Sequence, residues 1–248
     1  MRLDVFFTPA EVRPADTSGR LVAIIDVLRA STTVAVALAN GAKTVLPLPT
    51  ADEVMIRSRE FEKSAVLTAG ERKMLPIPGF DLGNSPKLFT PEAVEGKTIL
   101  LTTSNGTRAL LGVQGARDIV IASYVNLTAV LALMRMALNS DTDIAIICAA
   151  EEGTFALEDA ACAGRFVRSM PKRTSPMATN DAASASVLID RKYGDNIAKI
   201  FQDSLHGQEL KAAGFGDDLA TAAAVDSYSV VPIYQDRQIT KVGPDRER

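Results

Sequence analysis

The chain contains no tryptophan, one histidine, two cysteines and only four tyrosines and nine phenylalanines in 248 residues. Each scarcity removes a class of function. Two cysteines, Cys148 and Cys162, cannot build a disulfide framework or a four-thiolate zinc site, and they fit a reducing compartment. A single histidine rules out a multi-histidine metal centre. Aromatics this few and scattered offer neither a base-stacking platform nor an aromatic membrane belt. Positive charge is short as well. Lys and Arg number 27 against 30 Asp and Glu, a net charge of −3, without the basic excess of a phosphate-backbone binder. Nucleic acid is therefore not an expected partner. Long apolar runs are also missing: the longest, residues 124–138, is broken by Asn126, Thr128 and Arg135 and is too short to cross a bilayer. It reads as a buried helix, and no membrane partner is expected. Residues 1–12 carry Asp4 inside a short apolar run, without the small-residue cleavage site of a signal peptide. A cytoplasmic protein is the expectation.

What is present is the composition of a folded globular chain, 47% hydrophobic and 23% charged, too apolar for a disordered one. The length suits one domain over residues 1–248, or two close-packed lobes with a soft boundary near 171–179, where chain breakers gather. Residues 243–248 are charged and read as a frayed end. One pattern recurs along the first half: an apolar run, a polar loop, a helical stretch, Gly-Ala, and another apolar run. The first copy takes residues 21–25, 26–33, 34–40, Gly41-Ala42 and 44–48. The second takes 98–102, 103–107, 108–113, Gly115-Ala116 and 118–122. A third opens with the apolar run 144–148, the loop 149–157 and a helix over 158–168. Unbroken Ile/Val/Leu strands alternating with helices predict an α/β protein with a mainly parallel or mixed sheet built from strand-loop-helix units. The repetition fits duplication and equally fits ordinary α/β construction. Residues 69–91, with Pro76, Pro78, Gly79, Gly83 and Pro86, read as one long irregular loop, the kind that forms lids or binding segments.

The strand-to-helix loops hold the chemistry, and in open α/β sheets such loops lie where ligands bind. In the first, Asp26 ends a strand, Arg29 follows, and Ser31, Thr32 and Thr33 stand where a helix begins. Hydroxyls at a helix start free backbone N–H groups for an anion, and a guanidinium fork clamps phosphate or sulfonate oxygens. The same residues also fit a plain helix cap with Arg29 on a nearby acid. In the second loop Thr103, Ser104, Asn105, Gly106, Thr107 and Arg108 combine hydroxyls, an amide, a glycine that permits close approach and an arginine. An oxyanion cradle suits this better than a hairpin, since a strand precedes it and a helix follows. No Gly-Lys-Ser/Thr ends it, so it is not a nucleoside triphosphate loop.

Carboxylates recur at comparable places: Asp26, Glu71, Asp81, Glu151, Glu152, Glu158 and Asp159. Hard oxygen donors with almost no imidazole point to Mg2+ rather than zinc. Asp26 and Glu71 carry that argument, because Glu158 and Asp159 also fit simply as first-turn helix acids. His206 is the sole imidazole, and a lone histidine is more often structural than catalytic. Cys148 and Cys162 read as buried, inert thiols.

At these loops the chain resembles the 2-phosphosulfolactate phosphatase family, magnesium-dependent acid phosphatases associated with coenzyme M biosynthesis. The matching stretches are residues 25–33, Gly70-Glu71-Arg72, residues 79–86, residues 103–108 and residues 158–164. Ser204 to Gly207 and Asp217-Asp218 resemble the family's C-terminal part. The resemblance implies a three-layer α/β/α fold and hydrolysis of a phosphate monoester on a small anionic 2-phospho acid. The substrate implied is 2-phospho-3-sulfolactate, giving sulfolactate and phosphate. On this reading Asp26, Glu71 and Glu158 or Asp159 hold Mg2+. Arg29, Arg72 and Arg108, with Ser31, Thr32, Ser104, Asn105, Gly106 and Thr107, bind the anionic groups. His206 or a protonated carboxyl protonates the leaving group, and attack comes from water or from Asp26. The alternatives are a different small phospho acid, transfer to an acceptor other than water, or a sensor that binds such an acid without hydrolysing it. A symmetric homodimer is the general expectation for a cytosolic enzyme.

Overall fold

The structure is a computed structural model that describes residues 1–171 and 177–242. Most of the proposed lobe boundary and the charged C-terminal segment lie outside the described residues. The strands are β1 (Arg2–Phe6), β2 (Leu21–Ile25), β3 (Thr44–Pro47), β4 (Val66–Arg72), β5 (Leu75–Pro76), β6 (Thr98–Thr102), β7 (Asp118–Ala122), β8 (Ile144–Cys148), β9 (Ala178–Thr179), β10 (Pro232–Gln235) and β11 (Gln238–Lys241). Among the described residues they form one eleven-stranded sheet in the order β5-β4-β6-β3-β11-β10-β7-β2-β8-β1-β9.

That sheet is mixed, as expected from the strand pattern. One parallel block is β4-β6-β3, and the other is β7-β2-β8-β1-β9. The antiparallel hairpin β10–β11 joins them, pairing with β7 on one side and β3 on the other. Three antiparallel steps in succession make β3 and β7 run in opposite senses. Val22 and Ile24 of β2 nevertheless share one core cluster with Val45, Ile99 and Leu101 of the other block. The sheet thus coils across the hairpin, as twisted sheets do, and brings the carboxyl ends of both blocks together.

Strand alternation sets the layers. On β2, Leu21, Ala23 and Ile25 face the helices Leu127–Asn139 and Leu157–Arg168, while Val22 and Ile24 face the helix Ala30–Ala39. The result is a three-layer α/β/α arrangement. Ala30–Ala39 is buried on every side through Leu38, which matches its almost wholly apolar or small composition. Among the described residues no helix is long and apolar enough to cross a membrane.

The repeated units appear where the sequence places them, but their connection is unexpected. The first unit runs β2, helix Ala30–Ala39, β3, and the second runs β6, helix Gly106–Leu111, β7. Strand β2 pairs with β7, and β3 pairs with β6. Each unit therefore places its first strand beside the second strand of the other.

The second unit's helix runs Gly106–Leu111 rather than 108–113, and two further boundaries differ from the sequence reading. The first helix begins at Ala30 rather than residue 34, because an oxygen of Asp26 accepts from the Ala30 N–H and the Ser31 hydroxyl accepts from the Asp26 N–H. Residues 69–91 are not one irregular loop. Strand β4 continues through Gly70 to Arg72, and β5 pairs back on it. Gly70 does not break the strand, since a Cβ there would lie 2.2 Å from the Thr102 carbonyl oxygen. Its missing side chain is what allows β4 to lie against β6 at that point.

Close approach recurs between the helices Leu157–Arg168 and Asp181–Tyr193, where a Cβ on Gly164 would lie 1.9 Å from the Ser186 carbonyl oxygen. Gly164→Ala is expected to separate these helices and lower unfolding free energy by about 3 kcal/mol. Urea titration checks this, and wild-type stability would show that the contact relaxes freely.

Candidate active site

The coiled sheet gathers four loops around one cleft. Asp26, Leu28 and Arg29 come from the end of β2, and Glu71, Lys73 and Met74 from the β4–β5 turn. Thr103, Ser104 and Asn105 follow β6, while Glu151 and Glu152 follow β8. Asn84 and His206 complete the lining. The Leu28–Arg29 peptide bond is cis.

Carboxylates dominate the floor, and backbone N–H groups fix Asp26 and Glu71. One oxygen of Asp26 accepts from Ala30 N–H, while the other faces Gly106, where a Cβ would come within 2.6 Å of it. Glycine at 106 is thus a requirement of Asp26's position. The two oxygens of Glu71 accept from the N–H groups of Ser104 at 2.7 Å and Met74 at 3.0 Å. Met74 and Lys73 form the turn with φ of 68° and 50°, values that disfavour side-chain-bearing residues. Glu71 holds this turn by its hydrogen bond. The Met74 carbonyl accepts from Arg29 in turn.

His206 stands at the mouth of this acid cluster. Its Nδ1 lies 3.1 Å from Glu158 Oε1 and 3.3 Å from Glu151 Oε2. Burial pushes the imidazole pKa down, but the hydrogen bond to Glu158 and the charges of Glu158, Glu151 and Asp26 outweigh it, so the net shift is upward. Asp26 is pushed up to about 6 by burial and by Glu71 and Glu158, against the opposing pull of His206. Glu151 is pushed up to about 7 by burial, with Asp26, Glu158 and Glu71 adding to it. Burial and the neighbouring Asp26 and Glu158 raise Asp159 well above the usual carboxylate range.

The sequence-predicted residues separate into three groups. Asp26, Arg29, Glu71, Ser104, Asn105 and His206 line the cleft. Arg72 and Arg108, with Ser104 and Asn105, line a recess beside it. The others stand behind. The Ser31 hydroxyl is occupied by Asp26 N–H, and that of Thr32 donates to the Val27 carbonyl and shares a bond with Ser123. Thr107 and Thr103 exchange hydrogen bonds, the N–H of each donating to the hydroxyl of the other. Asp159 accepts from Val27 N–H at 2.8 Å, tying the β2 and β8 loops together. Arg29 lines the cleft, yet its guanidinium is committed. It pairs with buried Asp218 at 2.9 Å, donates to Met74 and lies 4.3 Å over the Phe215 ring.

Several participants have roles that only the folded chain reveals. Glu151 is one acid among several in the sequence, and its contact with His206 spans a long sequence separation. Asn105 orients it, donating through Nδ2 to Glu151 at 2.7 Å and accepting from Glu152 N–H. Asn84 lines the cleft, and its buried Oδ1 has no partner. The signal available for it was an amide between Gly83 and Pro86 in a breaker-rich segment. Asp218 binds both Arg29 and the Ser85 hydroxyl, fixing the segment that carries Asn84.

The donor set fits a hard divalent cation. Glu158 Oε2 is buried without a partner, the donors are oxygens, and their negative charge exceeds what His206 can offset. Among the described residues no three acidic, histidine or cysteine side chains are placed to hold a metal ion by themselves. Mg2+ does not need such a set, since it keeps several waters and takes one or two carboxylates plus substrate oxygens.

A pH dependence of stability follows. Asp26, Glu151, Asp159 and His206 all hold protons more tightly in the folded chain than in the unfolded one. The folded state is therefore favoured at low pH within this range and loses that advantage as pH rises. Without divalent cations the melting temperature is expected to drop by about 5 °C between pH 5 and pH 8, and excess Mg2+ to restore it. A flat profile in thermal unfolding would contradict the charge crowding.

Comparison with known proteins places the chain in a family. The family described as 2-phosphosulpholactate phosphatase matches residues 6–237. A protein of Symbiobacterium thermophilum is 38% identical over 231 residues, 93% of this chain and 96% of its own. One from Caldanaerobacter subterraneus subsp. tengcongensis is 35% identical over 232 residues, 94% and 95%. One from Synechococcus sp. (strain JA-3-3Ab) is 39% identical over 234 residues, 94% and 95%. All three bear the name "Probable 2-phosphosulfolactate phosphatase". On matched length and identity, this chain belongs to the 2-phosphosulpholactate phosphatase family.

Proposed function

We propose that the chain is a magnesium-dependent phosphatase that hydrolyses 2-phospho-3-sulfolactate to sulfolactate and inorganic phosphate. The observation that carries this reading is the buried carboxylate cluster facing one imidazole, in a chain whose relatives are named for that substrate. Glu71, Glu158 and Asp26 are the residues that would hold Mg2+, which when bound supplies positive charge against the phosphoryl oxygens.

The chain's own groups account for the proton movements. An alkoxide is a poor leaving group, so the P–O bond breaks most readily when a proton arrives on the ester oxygen. His206 is the donor, kept protonated by Glu158 and Glu151. The Asn84 amide oxygen offers an acceptor that orients the attacking water. In a loose phosphoryl-transfer transition state that water loses its proton late, so no strong base is required first. Water forms the new P–O bond, the ester P–O bond breaks, and the alcohol leaves with the proton of His206. One proton of the water stays on phosphate. The other returns to His206 through Glu151, whose pKa of about 7 suits it to exchange protons at neutral pH. The acid cluster also argues against a simple anion sensor, since carboxylates repel a bound phosphate unless a cation intervenes.

Phosphate release from 2-phosphosulfolactate, phospholactate and phosphoglycolate, with Mg2+ or with a chelator, tests the reading. Magnesium-dependent release from the sulfonated ester is expected. Release from the other acids alone would replace the substrate, and none from any would favour the sensor.

Asp26→Asn is expected to stop turnover while the protein stays folded, because its amide oxygen still accepts from Ala30 N–H. His206→Asn is expected to lower kcat about 100-fold or more and to abolish the alkaline fall of the pH profile. Borohydride added during turnover is expected to leave Asp26 unmodified, as direct attack by water requires. Reductive trapping of Asp26 would instead reveal an aspartyl phosphate and assign direct attack by that residue.

A further inference from the structure

The acidic cleft encloses about 30 Å³, room for a couple of water molecules or one ion. A phosphate ester is far larger. Beside the cleft lies a recess of about 630 Å³ with neither Asp26 nor His206 in its wall. Thr103, Ser104, Asn105 and Glu152 line both spaces. The contact between Asn105 and residues 151–152 is therefore part of the partition between them.

Residues 151–154 form a tight hairpin turn, in which Glu151 and Thr154 each donate a backbone N–H to the carbonyl of the other. Ala150, Glu152 and Gly153 take φ of 66°, 49° and 81°. None of residues 151–155 is buried. The two feet of the turn are buried: Ala149 donates its N–H to the Ile25 carbonyl, and Ala156 begins the helix Leu157–Arg168. Among the described residues, the turn's polar contacts with other segments are those of Glu151 with His206 and those of Glu151 and Glu152 with the Asn105 amide.

Asn105 makes this contact in place of a local one. It stands at the N-terminus of the helix Gly106–Leu111, where an asparagine commonly caps its own helix, yet its side chain makes no such bond. Its Nδ2 donates to Glu151 and its Oδ1 accepts from Glu152 N–H, across 46 and 47 residues of sequence. An amide offers a donor and an acceptor together, which an ionised carboxylate cannot do.

We propose that residues 151–154 are a flap between cleft and recess, and that Asn105 is the positioning residue that latches it shut. Shut, the flap sets Glu151 against His206. Open, it merges the two spaces and lets an ester reach His206. Turnover needs both positions, the open one for entry and the shut one for exchange of protons between Glu151 and His206. That role in turnover rests on the phosphatase reading, while the flap itself rests on the partition and on how the turn is fastened.

The chain has no tryptophan, so Phe155→Trp places a single indole at the foot of the flap, where Phe155 meets the Phe7 ring edge-on at 5.3 Å. In that background Asn105→Ala is expected to raise acrylamide quenching of the indole about twofold, with far-UV circular dichroism unchanged. Asn105→Asp keeps the acceptor for Glu152 N–H but repels Glu151, so it is expected to do the same and serves if the alanine variant misfolds. Equal quenching with and without the latch would overturn the flap. Kinetics on 2-phosphosulfolactate read the positioning role. With Phe155 restored, Asn105→Ala is expected to lower kcat about tenfold at unchanged KM, with partial recovery in Asn105→Gln. An unchanged kcat, whether or not KM rises, would overturn that role. Should wild type hydrolyse no ester, the phosphatase reading fails and the quenching alone decides the flap.

Discussion

Crowded negative charge in a nearly closed space is the constraint on which the rest of this structure depends. Asp26, Glu71 and Glu158 are buried and Glu151 half-buried, with His206 in contact with Glu151 and Glu158. Carboxylates in such a place would swing outward to water unless held. The fold holds three of the acids here with main-chain N–H groups, Ala30 for Asp26, Ser104 and Met74 for Glu71, and Val27 for Asp159, while the Asn105 amide holds Glu151. Those donors come from three segments, the stretch after β2, the β4–β5 turn and the loop after β6. The acid cluster and the docking of the loops are therefore one problem with one solution, and the glycine at 106 and the left-handed turn at 73–74 are local terms of it.

A second layer of ions steadies the arrangement from outside. Asp218 pairs with Arg29 and accepts from the Ser85 hydroxyl, so a residue near the end of the chain fixes both the first loop and the segment bearing Asn84. The arginine that looked free to clamp a ligand is thereby a strut, with its charge compensated before any substrate arrives. Arg108, exposed in the adjoining recess, has no such carboxylate partner among the described residues. Division of labour between the two follows from burial: a buried guanidinium without a partner would be too costly to keep, whereas an exposed one can wait for its anion.

The sequence made the strands and their order of appearance legible, because runs such as 21–25, 98–102, 118–122 and 144–148 are apolar throughout and have polar loops at their ends. Asp26, Glu71 and the Ser104-Asn105 pair were legible for the same reason, as polar residues at strand ends. The pairing of strands was not legible, since β2 and β7, or β3 and β6, carry no mark of their partner. Nor were Ser31, Thr32 and Thr107 distinguishable from ligand-binding hydroxyls, because a hydroxyl that serves a loop internally has the same local pattern. Glu151 with His206, and Arg29 with Asp218, depend on contacts between distant segments that only the folded chain reveals. The strand through Gly70 was hidden because a glycine normally signals a break, while here it signals contact with Thr102.

The reciprocal pairing of the two strand-helix-strand units bears on how the chain can be divided. Strand β2 completes its hydrogen bonds on β7, and β3 completes its own on β6. A fragment holding either unit alone would have two open strand edges and half an apolar layer, so it gains little by folding before its counterpart exists. The loops that begin at Asp26 and Thr103 occupy equivalent places in the two units and meet where Gly106 touches Asp26. The reactive cleft is thus a seam between halves, and its assembly reports that both halves have been made and have found each other.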